Sequence, residues 1–193
     1  MERLRHVEPS MEYMEQGIEY IKEHIKCGSH VNGSGGLDSY LDNYQGWLEL
    51  LEKDKNLVPS EQRVPAETYY LVNEQDRVVG MINIRLCLNK YLKESGGHIG
   101  YGIRPSERRK GYNKINLYLA LLRCQELGLK EVLLDCRADN EGSYRTMEAL
   151  GGVRIKEYYS EGHDCNAYKY LINVDESINN HKEIYEPKIL RKK

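Results

Sequence analysis

The sequence predicts an α+β (mixed α/β) fold, in which a central mixed, mostly antiparallel sheet is flanked by helices. Apolar residues recur with a period near 3.6 in the N-terminal third, which is typical of amphipathic helices. Short runs rich in β-branched and aromatic residues then alternate with turn residues, which indicates hairpins. A strand, a long helix and a second strand follow over residues 98–136, and such a unit joins two parallel strands by a right-handed crossover.

Two helices and a glycine-rich loop make up the N-terminal part. Ser10 is a suitable N-cap for the first helix. The apolar residues of that helix have helical spacing: Met11, Met14, Ile18, Ile21 and Ile25. A second amphipathic helix is predicted over Leu37–Leu51. The Lys26–Gly36 segment between them contains four glycines, so we expect either a plain connector or a mobile lip over a binding site.

Strands dominate the chain after Glu67. The runs Tyr69–Asn73 and Val78–Arg85 flank a short polar turn and predict a hairpin. Leu88–Gly97 is expected to be a loop, and His98–Ile103 is expected to be a third strand.

The strongest helix pattern of the chain covers Tyr112–Leu127, and Gly128 is placed to end that helix. Val132, Leu133 and Leu134 form the continuous apolar run expected of a central strand that is covered on both faces. Together with His98–Ile103, this strand completes the predicted parallel crossover.

The last predicted elements are a short helix and a hairpin. Asp139 and Asn140 are candidate caps for the helix, and Gly151-Gly152 would close it. The hairpin is predicted from Val153–Tyr159 and Ala167–Ile172, around a turn over Ser160–Asn166. The tail from Asn173 is polar and mixed in charge, which fits a disordered end or an appended strand or helix that docks elsewhere.

The composition is that of a soluble protein with one core. The 193 residues suit one domain, and the formal net charge of -2 disfavours a general nucleic-acid binder. No apolar run is long enough for a membrane span, and the first ten residues are too charged for a signal peptide, so we expect a cytoplasmic protein. Five irregularly spaced cysteines fit reduced thiols.

The segment Ile99–Asn113 carries the clearest functional signal. It runs from an apolar strand through a basic turn, Arg108-Arg109-Lys110-Gly111, into the start of the long helix. The first N–H groups of a helix lack backbone partners, and the helix dipole is positive at that end. Three cations and a glycine that lets a ligand approach the backbone therefore predict a site for a phosphate-bearing cofactor.

The turn at Arg108–Asn113 resembles the acetyl-CoA pyrophosphate motif, Q/R-x-x-G-x-G/A, of the GNAT superfamily of N-acetyltransferases. The preceding I-G-Y-x-I-x-P run agrees, as do Asp139-Asn140 with Ser143 and the Ala149–Gly152 segment. The resemblance covers about residues 68–172. The strings G-G-H-I-G-Y and R-P-S-E-R-R-K-G-Y also resemble a bacterial subgroup of uncharacterised predicted acetyltransferases.

The resemblance implies an acyl-CoA N-acyltransferase (GNAT-like) fold in one N-acetyltransferase domain over residues 1–172. Residues 1–67 would form a helical half with an acceptor-side loop, 68–172 the cofactor-binding core and 173–193 a tail. Acetyl-CoA would be the co-substrate, held by residues of the turn and of the helix that follows the next strand. These residues are Ile103, Arg108, Arg109, Lys110, Gly111, Tyr112, Asn113, Asn140 and Ser143. For Asn140 and Ser143, ordinary helix capping is the alternative.

Two departures from the family pattern bear on the site. Asn113 replaces a small residue, so its side chain must point away from the pyrophosphate or donate a hydrogen bond to it. Met147 stands where relatives often carry a tyrosine that protonates the departing thiolate, and methionine cannot do this. Tyr144, Tyr168 and solvent are the remaining candidates for that proton.

The base and the oxyanion site are assigned to the strand before the turn. An alkylammonium has a pKa of roughly 10, so a base should help to remove its proton. His98 lies where relatives often place a glutamate base, and we expect it either to be that base or to be a packed histidine that shapes the pocket. A backbone N–H near Ile103 can meet the oxyanion.

The predicted function is acetyl transfer from acetyl-CoA to a primary amine of a small molecule or peptide, by direct attack in a ternary complex. The alternative is a non-catalytic acyl-CoA-binding or regulatory module on the same fold. A homodimer is common among relatives, and neither a nucleic acid nor a membrane is expected as a partner. His24, Cys27 and His30 have metal-ligand residue types but no evident fourth ligand, so no metal is predicted.

Overall fold

The computed structural model describes residues 2–161 and 164–191, which form seven strands and six α-helices. The strands are Arg5–Val7 (β1), Ala66–Val72 (β2), Val78–Arg85 (β3), Ile99–Ile103 (β4), Glu131–Arg137 (β5), Val153–Ser160 (β6) and Cys165–Asn173 (β7). The helices are Met14–Lys26 (α1), Tyr44–Lys55 (α2), Lys90–Glu94 (α3), Tyr112–Glu126 (α4), Glu141–Glu148 (α5) and Val174–Tyr185 (α6). In this part of the chain no helix combines the length and apolar character needed to cross a bilayer.

The strands form two antiparallel sheets, ordered β1-β2-β3-β4 and β5-β7-β6. Both predicted hairpins are confirmed, β2 with β3 and β6 with β7, although residues 162 and 163 of the second turn lie outside the described residues. The sheets meet at a single backbone bridge between Gly97 and Leu134. The result is a mixed α/β fold with antiparallel sheets flanked by helices.

The sequence predicted a crossover that joins two parallel strands, but within the described residues β4 and β5 belong to different sheets and form no parallel ladder with each other. Within the described residues, β5 forms its ladder with β7 and meets the start of β4 only near Gly97. Val132 and Leu134 are fully buried, whereas Leu133 between them is only partly buried. β5 is therefore an edge strand with one covered face, and the space beside β4 is free of a paired strand.

Helix α4 lies at the centre of the larger core. Its apolar face packs on β3 and β4, and Ile115, Leu117 and Leu121 are almost completely buried. Helix α6 packs against α4 through Val174 and Ile178, so the tail after Asn173 forms a docked helix. The side chain of Asn173 caps α6 by accepting the N–H of Glu176 at 3.0 Å.

Helices α1 and α2 cover the other face of the first sheet. Their core includes Tyr20, Trp47 and Tyr70, all fully buried. Trp47 donates its indole N–H to the carbonyl of Gly35 at 3.0 Å, which ties the glycine-rich loop to α2.

Two secondary-structure predictions require correction. The single helix predicted over Leu37–Leu51 is a 3₁₀ turn, Leu37–Ser39, followed by α2. Asn43 separates them, because its side chain accepts the N–H of Gly46 and so begins a new helix. The loop predicted at Leu88–Gly97 contains α3, which Asn89 caps in the same way through the N–H of Leu92.

Candidate active site

The N-terminus of α4 is built by the basic turn that the sequence analysis singled out. Arg109 and Gly111 both have left-handed backbone conformations, with φ of +64° and +79°. Gly111 is the N-cap of α4, and no side chain caps the helix there. Helices α2, α5 and α6 are instead capped by Asn43, Asn140 and Asn173. The N–H of Lys114 donates to the carbonyl of Gly111 at 3.3 Å, and no side chain of the described residues caps the first turn, so its other N–H groups are available to an anion.

The three cations of this turn have different surroundings. Arg108 is folded back: its Nε donates to the carbonyl of Ile103 at 3.2 Å and Nη1 to Ser29 Oγ at 3.0 Å. Lys110 pairs with Glu107 at 2.6 Å. Arg109 is exposed and forms no ion pair within the described residues. Arg109 is therefore the cation of the turn that is most available to an anionic ligand.

Asn113 points from α4 towards α5. Its Nδ2 lies 3.4 Å from Thr146 Oγ1, and its Oδ1 is buried without a hydrogen-bond partner among the described residues. Of the two orientations that the sequence allowed, the structure shows the side chain directed to α5. Its bulk does not fill the space at the helix N-terminus.

Asn140 and Ser143 connect the end of β5 to the same region. Asn140 caps α5 by accepting the N–H of Ser143 at 3.2 Å, which is the capping alternative of the sequence analysis. The hydroxyl groups of Ser143 and Tyr101 lie 2.9 Å apart, so α5 is joined to β4. Sequence reasoning did not select Tyr101 as a neighbour of the candidate site, and its only signal was its place between two glycines of a strand.

The outer edge of β4 can supply backbone hydrogen bonds. The N–H of Arg85 donates to His98 at 2.8 Å and that of Arg104 donates to Val79 at 2.9 Å. Hydrogen-bonded pairs alternate along an antiparallel ladder, so Tyr101 and Ile103 direct their N–H and C=O groups away from β3. The position proposed for the oxyanion, near the N–H of Ile103, therefore faces the space that β5 does not occupy.

His98 sits at the junction of the two sheets. Its backbone N–H donates to the carbonyl of Leu133 at 2.6 Å, and its Nδ1 accepts the N–H of Leu133 at 2.9 Å. This uses the lone pair of Nδ1 and leaves the proton of the neutral ring on Nε2. Burial, with a contribution from the charge of Arg85, lowers the pKa of His98 to about 4. The geometry favours the alternative in which His98 positions the strand, and the base role stays a prediction.

Replacing His98 by asparagine is expected to flatten the pH dependence of stability. The pKa of this histidine is about 4 in the folded state against an ordinary 6.5, so the unfolded chain binds more protons and stability falls as the pH drops from 6.5 towards 4. One such group contributes at most about 1.4 kcal/mol per pH unit. His98→Asn keeps an acceptor for the Leu133 N–H, and urea unfolding at several pH values would measure the slope.

Turnover of the same variant separates the two roles of His98. A positioning role predicts that His98→Asn retains turnover while His98→Ala loses most of it. An equal loss in both variants, with acetyl-CoA affinity intact, would support His98 as the base.

Tyr144 and Tyr168 lie next to each other on α5 and β7. Their ring centroids are 5.9 Å apart in an edge-to-face arrangement, and the guanidinium of Arg154 lies 4.5 Å from the Tyr168 ring. Both rings are partly exposed. Met147 is buried, with 1% of its surface exposed, so it belongs to the core. The proton-donor roles of the two tyrosines stay predictions.

The glycine-rich loop crosses the first sheet, β1-β2-β3-β4, on the face opposite to the one on which α4 packs. Thr68, Asn83 and Gly100 form one row across β2, β3 and β4. A Cβ on Gly33 would lie 2.5 Å from the carbonyl oxygen of Gly100, and a Cβ on Gly35 would lie 2.5 Å from Thr68 Oγ1. The loop thus rests on the sheet beside the predicted reaction site, and only glycine permits this approach.

The histidine and cysteine pattern in α1 does not assemble a cluster. His24 is buried and its Nδ1–H donates to the carbonyl of Tyr20 at 2.9 Å, in the preceding turn of the same helix. Over residues 2–161 and 164–191, no group of three or more His, Cys, Asp and Glu side chains is arranged to hold a metal ion.

Comparisons with known proteins bear on the family and on the fold. The model of the acetyltransferase (GNAT) family matches residues 37–152, which is more than half of the chain. A search of curated protein sequences finds no match.

Three solved structures with a similar fold are the following. The microcin C7 self immunity acetyltransferase MccE in complex with acetyl-CoA and AMP has a TM-score of 0.65 and 15% identity, covering 89% of this chain and 92% of that chain. Mutant forms of the spermidine/spermine N-acetyltransferase SpeG from Vibrio cholerae have a TM-score of 0.63 and 14% identity, covering 92% of this chain and 98% of that chain. A ribosomal-protein-S5-alanine acetyltransferase from Vibrio fischeri has a TM-score of 0.62 and 16% identity, covering 89% of this chain and 92% of that chain. At these identities the likeness concerns the fold.

Proposed function

Because the chain belongs to the acetyltransferase (GNAT) family, we propose that it is an acetyl-CoA-dependent N-acetyltransferase acting on a primary amine of a small molecule or peptide. The observation that carries the proposal is the N-terminus of α4, which has a left-handed glycine as N-cap and no side-chain cap. The similar folds include an acetyltransferase in complex with acetyl-CoA and enzymes named for spermidine/spermine and for a ribosomal protein.

The residues present fit acetyl-CoA. A Cβ on Gly111 would have no neighbour within 4 Å, so the glycine faces open space at the helix N-terminus. First-turn N–H groups and the Arg109 guanidinium would hold the pyrophosphate. Arg108 would act indirectly, by fixing the turn to β4 through the Ile103 carbonyl. Asn140 and Ser143 would shape the wall of the site from α5.

Direct attack in a ternary complex requires one bond to form, one to break and two proton transfers, and each of these can be assigned to groups of the candidate site. The amine nitrogen forms a bond to the acetyl carbonyl carbon, the carbon–sulfur bond breaks, the amine loses a proton and the CoA sulfur gains one. The N–H of Ile103 would stabilise the negative charge that develops on the carbonyl oxygen. Water or His98 would take the first proton, and Tyr144, Tyr168 or water would give the second.

Acetyl-CoA is expected to raise the melting temperature of the protein. A ligand that binds only the folded state adds about 2.7 kcal/mol of stability at one hundred times Kd, which for a chain of this size is roughly 5–10 °C. Differential scanning fluorimetry with increasing acetyl-CoA measures the shift. If acetyl-CoA changes neither the melting temperature nor the heat signal in a calorimetric titration, the proposal is wrong.

The alternative is a non-catalytic acyl-CoA-binding module, which is supported by Met147 at the position of the usual acid. Both functions predict acetyl-CoA binding, so the distinguishing measurement is CoA release. Thiol detection with a panel of primary amines should show release above the rate of hydrolysis. Binding without release from any amine would favour the module.

A further inference from the structure

Arg85, at the end of β3, is a partly buried cation on the face of the sheet that the glycine-rich loop crosses. Its Nη1 donates to the carbonyl groups of Gly97 at 2.8 Å and Gly96 at 3.3 Å. Within the described residues it forms no ion pair, and its remaining nitrogens make no hydrogen bond. An arginine has five N–H donors, so most of this guanidinium is available to a ligand.

Two carboxylates lie near Arg85, and of these Asp135 has one oxygen, Oδ1, that is buried without a hydrogen-bond partner among the described residues. Asp135 accepts the N–H of Gly96 at 2.8 Å and the hydroxyl of Tyr158 at 2.7 Å, and its Oδ2 lies 3.5 Å from the ammonium of Lys169. Asp54 receives two hydrogen bonds of 2.6 Å from Arg63. The charge of Asp135 acts on Arg85 as well as on Lys169, so one carboxylate serves two cations and a positive charge is left over; burial lowers the pKa of Arg85, and the charge of Asp135 opposes this. An anion bound there would offset the cost of removing this charge from water.

Arg85 also lines a cavity of about 340 Å³. Gly35 and Gly36 of the glycine-rich loop form one wall, and Tyr91 and Leu92 of α3 form another. A Cβ on Gly100 would lie 3.8 Å from Nη2 of Arg85, so the guanidinium is next to β4 at Gly100. The cavity thus adjoins the strand on which the acetyl group is proposed to react.

We propose that Arg85 binds a carboxylate of the acetyl acceptor, so that the substrate is an extended amine with a carboxylate at its far end. The proposal rests on the proposed function. Gly100 and Ile103 are three residues apart on β4, which corresponds to about 10 Å. A peptide of two or three residues spans roughly 7–10 Å between its amine and its carboxylate. A polycationic amine would instead be repelled by the unpaired guanidinium.

The test compares triglycine with triglycine amide, which differ only in the carboxylate. The wild-type enzyme should acetylate triglycine with a kcat/KM at least tenfold higher, mainly through a lower KM. Arg85→Gln should remove this preference, so that the ratio of kcat/KM for triglycine to kcat/KM for the amide falls to about one, and Arg85→Lys should keep part of it. A merely structural role of Arg85 lowers both rates equally, and an equal wild-type rate on the two peptides would overturn the proposal.

Binding measurements distinguish failure of this proposal from failure of the proposed function. If acetyl-CoA binds but neither peptide is acetylated, calorimetry with triglycine and its amide on the CoA-bound protein still tests the site. Tighter binding of the carboxylate form that is lost in Arg85→Gln supports the anion site without acetyl transfer. Equal binding of the two peptides contradicts it, whatever the outcome for acetyl-CoA.

Discussion

Replacing Gly97 by alanine is expected to lower the free energy of unfolding by roughly 2–5 kcal/mol, from backbone strain and steric overlap together. Gly97 has φ of +64°, and a Cβ there would lie 2.2 Å from the carbonyl oxygen of Leu133 and 2.6 Å from its carbonyl carbon. Both contacts are with backbone, which cannot rotate away as a side chain does. Urea unfolding followed by circular dichroism measures the loss.

Gly128 offers a matched control for this substitution. It has φ of +78°, and a Cβ there would meet nothing within 4 Å. Gly128→Ala therefore introduces the strain alone, which costs about 1 kcal/mol. The difference between the two variants isolates the contact between the sheets, and equal losses would show that the sheets do not depend on this close approach.

The junction at Gly97 also shows which parts of the fold the sequence could predict. Helix α4 and both hairpins follow from local periodicity and turn residues, and they were predicted within a few positions. The split into two sheets was not, because it depends on a contact between Gly97 and Leu134 that are far apart in sequence. Local pattern could not distinguish a parallel β4–β5 ladder from two strands that meet at one bridge and then separate.

Capping residues explain the two errors in the helices. The apolar spacing from Leu37 to Leu51 continues through a 3₁₀ turn and α2, so periodicity alone joins them. Asn43 separates the two helices because its side chain accepts the backbone N–H of Gly46 and so begins a new helix. Asn89 does the same at the start of α3, within a segment that was predicted to be a loop.

The sequence could predict the features of the candidate site that depend on backbone conformation. It could not predict the features that depend on which side chains pair with each other. Gly111 and the basic turn are visible in the sequence, and the structure gives them the left-handed conformation that a ligand-facing turn needs. The partners of Arg108 and Lys110 lie in other segments or on the neighbouring turn, so their roles could not be separated from that of Arg109. The sequence did not indicate a role for Arg85, because an arginine without an ion pair can be recognised only when the positions of all nearby carboxylates are known.

The variant with the largest expected effect on cofactor binding is the double substitution Arg109→Ala with Gly111→Ala. It removes the exposed guanidinium and places a methyl group at the N-cap of α4, where the backbone must keep a positive φ. Holding alanine in that conformation costs about 1 kcal/mol. If the turn relaxes instead, the N–H groups of the first turn of α4 no longer converge. We expect acetyl-CoA affinity to fall at least a hundredfold, so that the melting-temperature shift disappears.

Gly111→Ala and Gly128→Ala form the control pair for this loss, since they lie at opposite ends of α4 with φ of +79° and +78° and open space around each Cβ. Without ligand, the two single variants should have nearly the same unfolding free energy. With acetyl-CoA, only Gly128→Ala should be stabilised as the wild type is, because only Gly111 belongs to the proposed binding site. If Gly128→Ala lost the acetyl-CoA shift as well, the effect would come from general weakening of α4, and the N-terminal turn would not be the binding site.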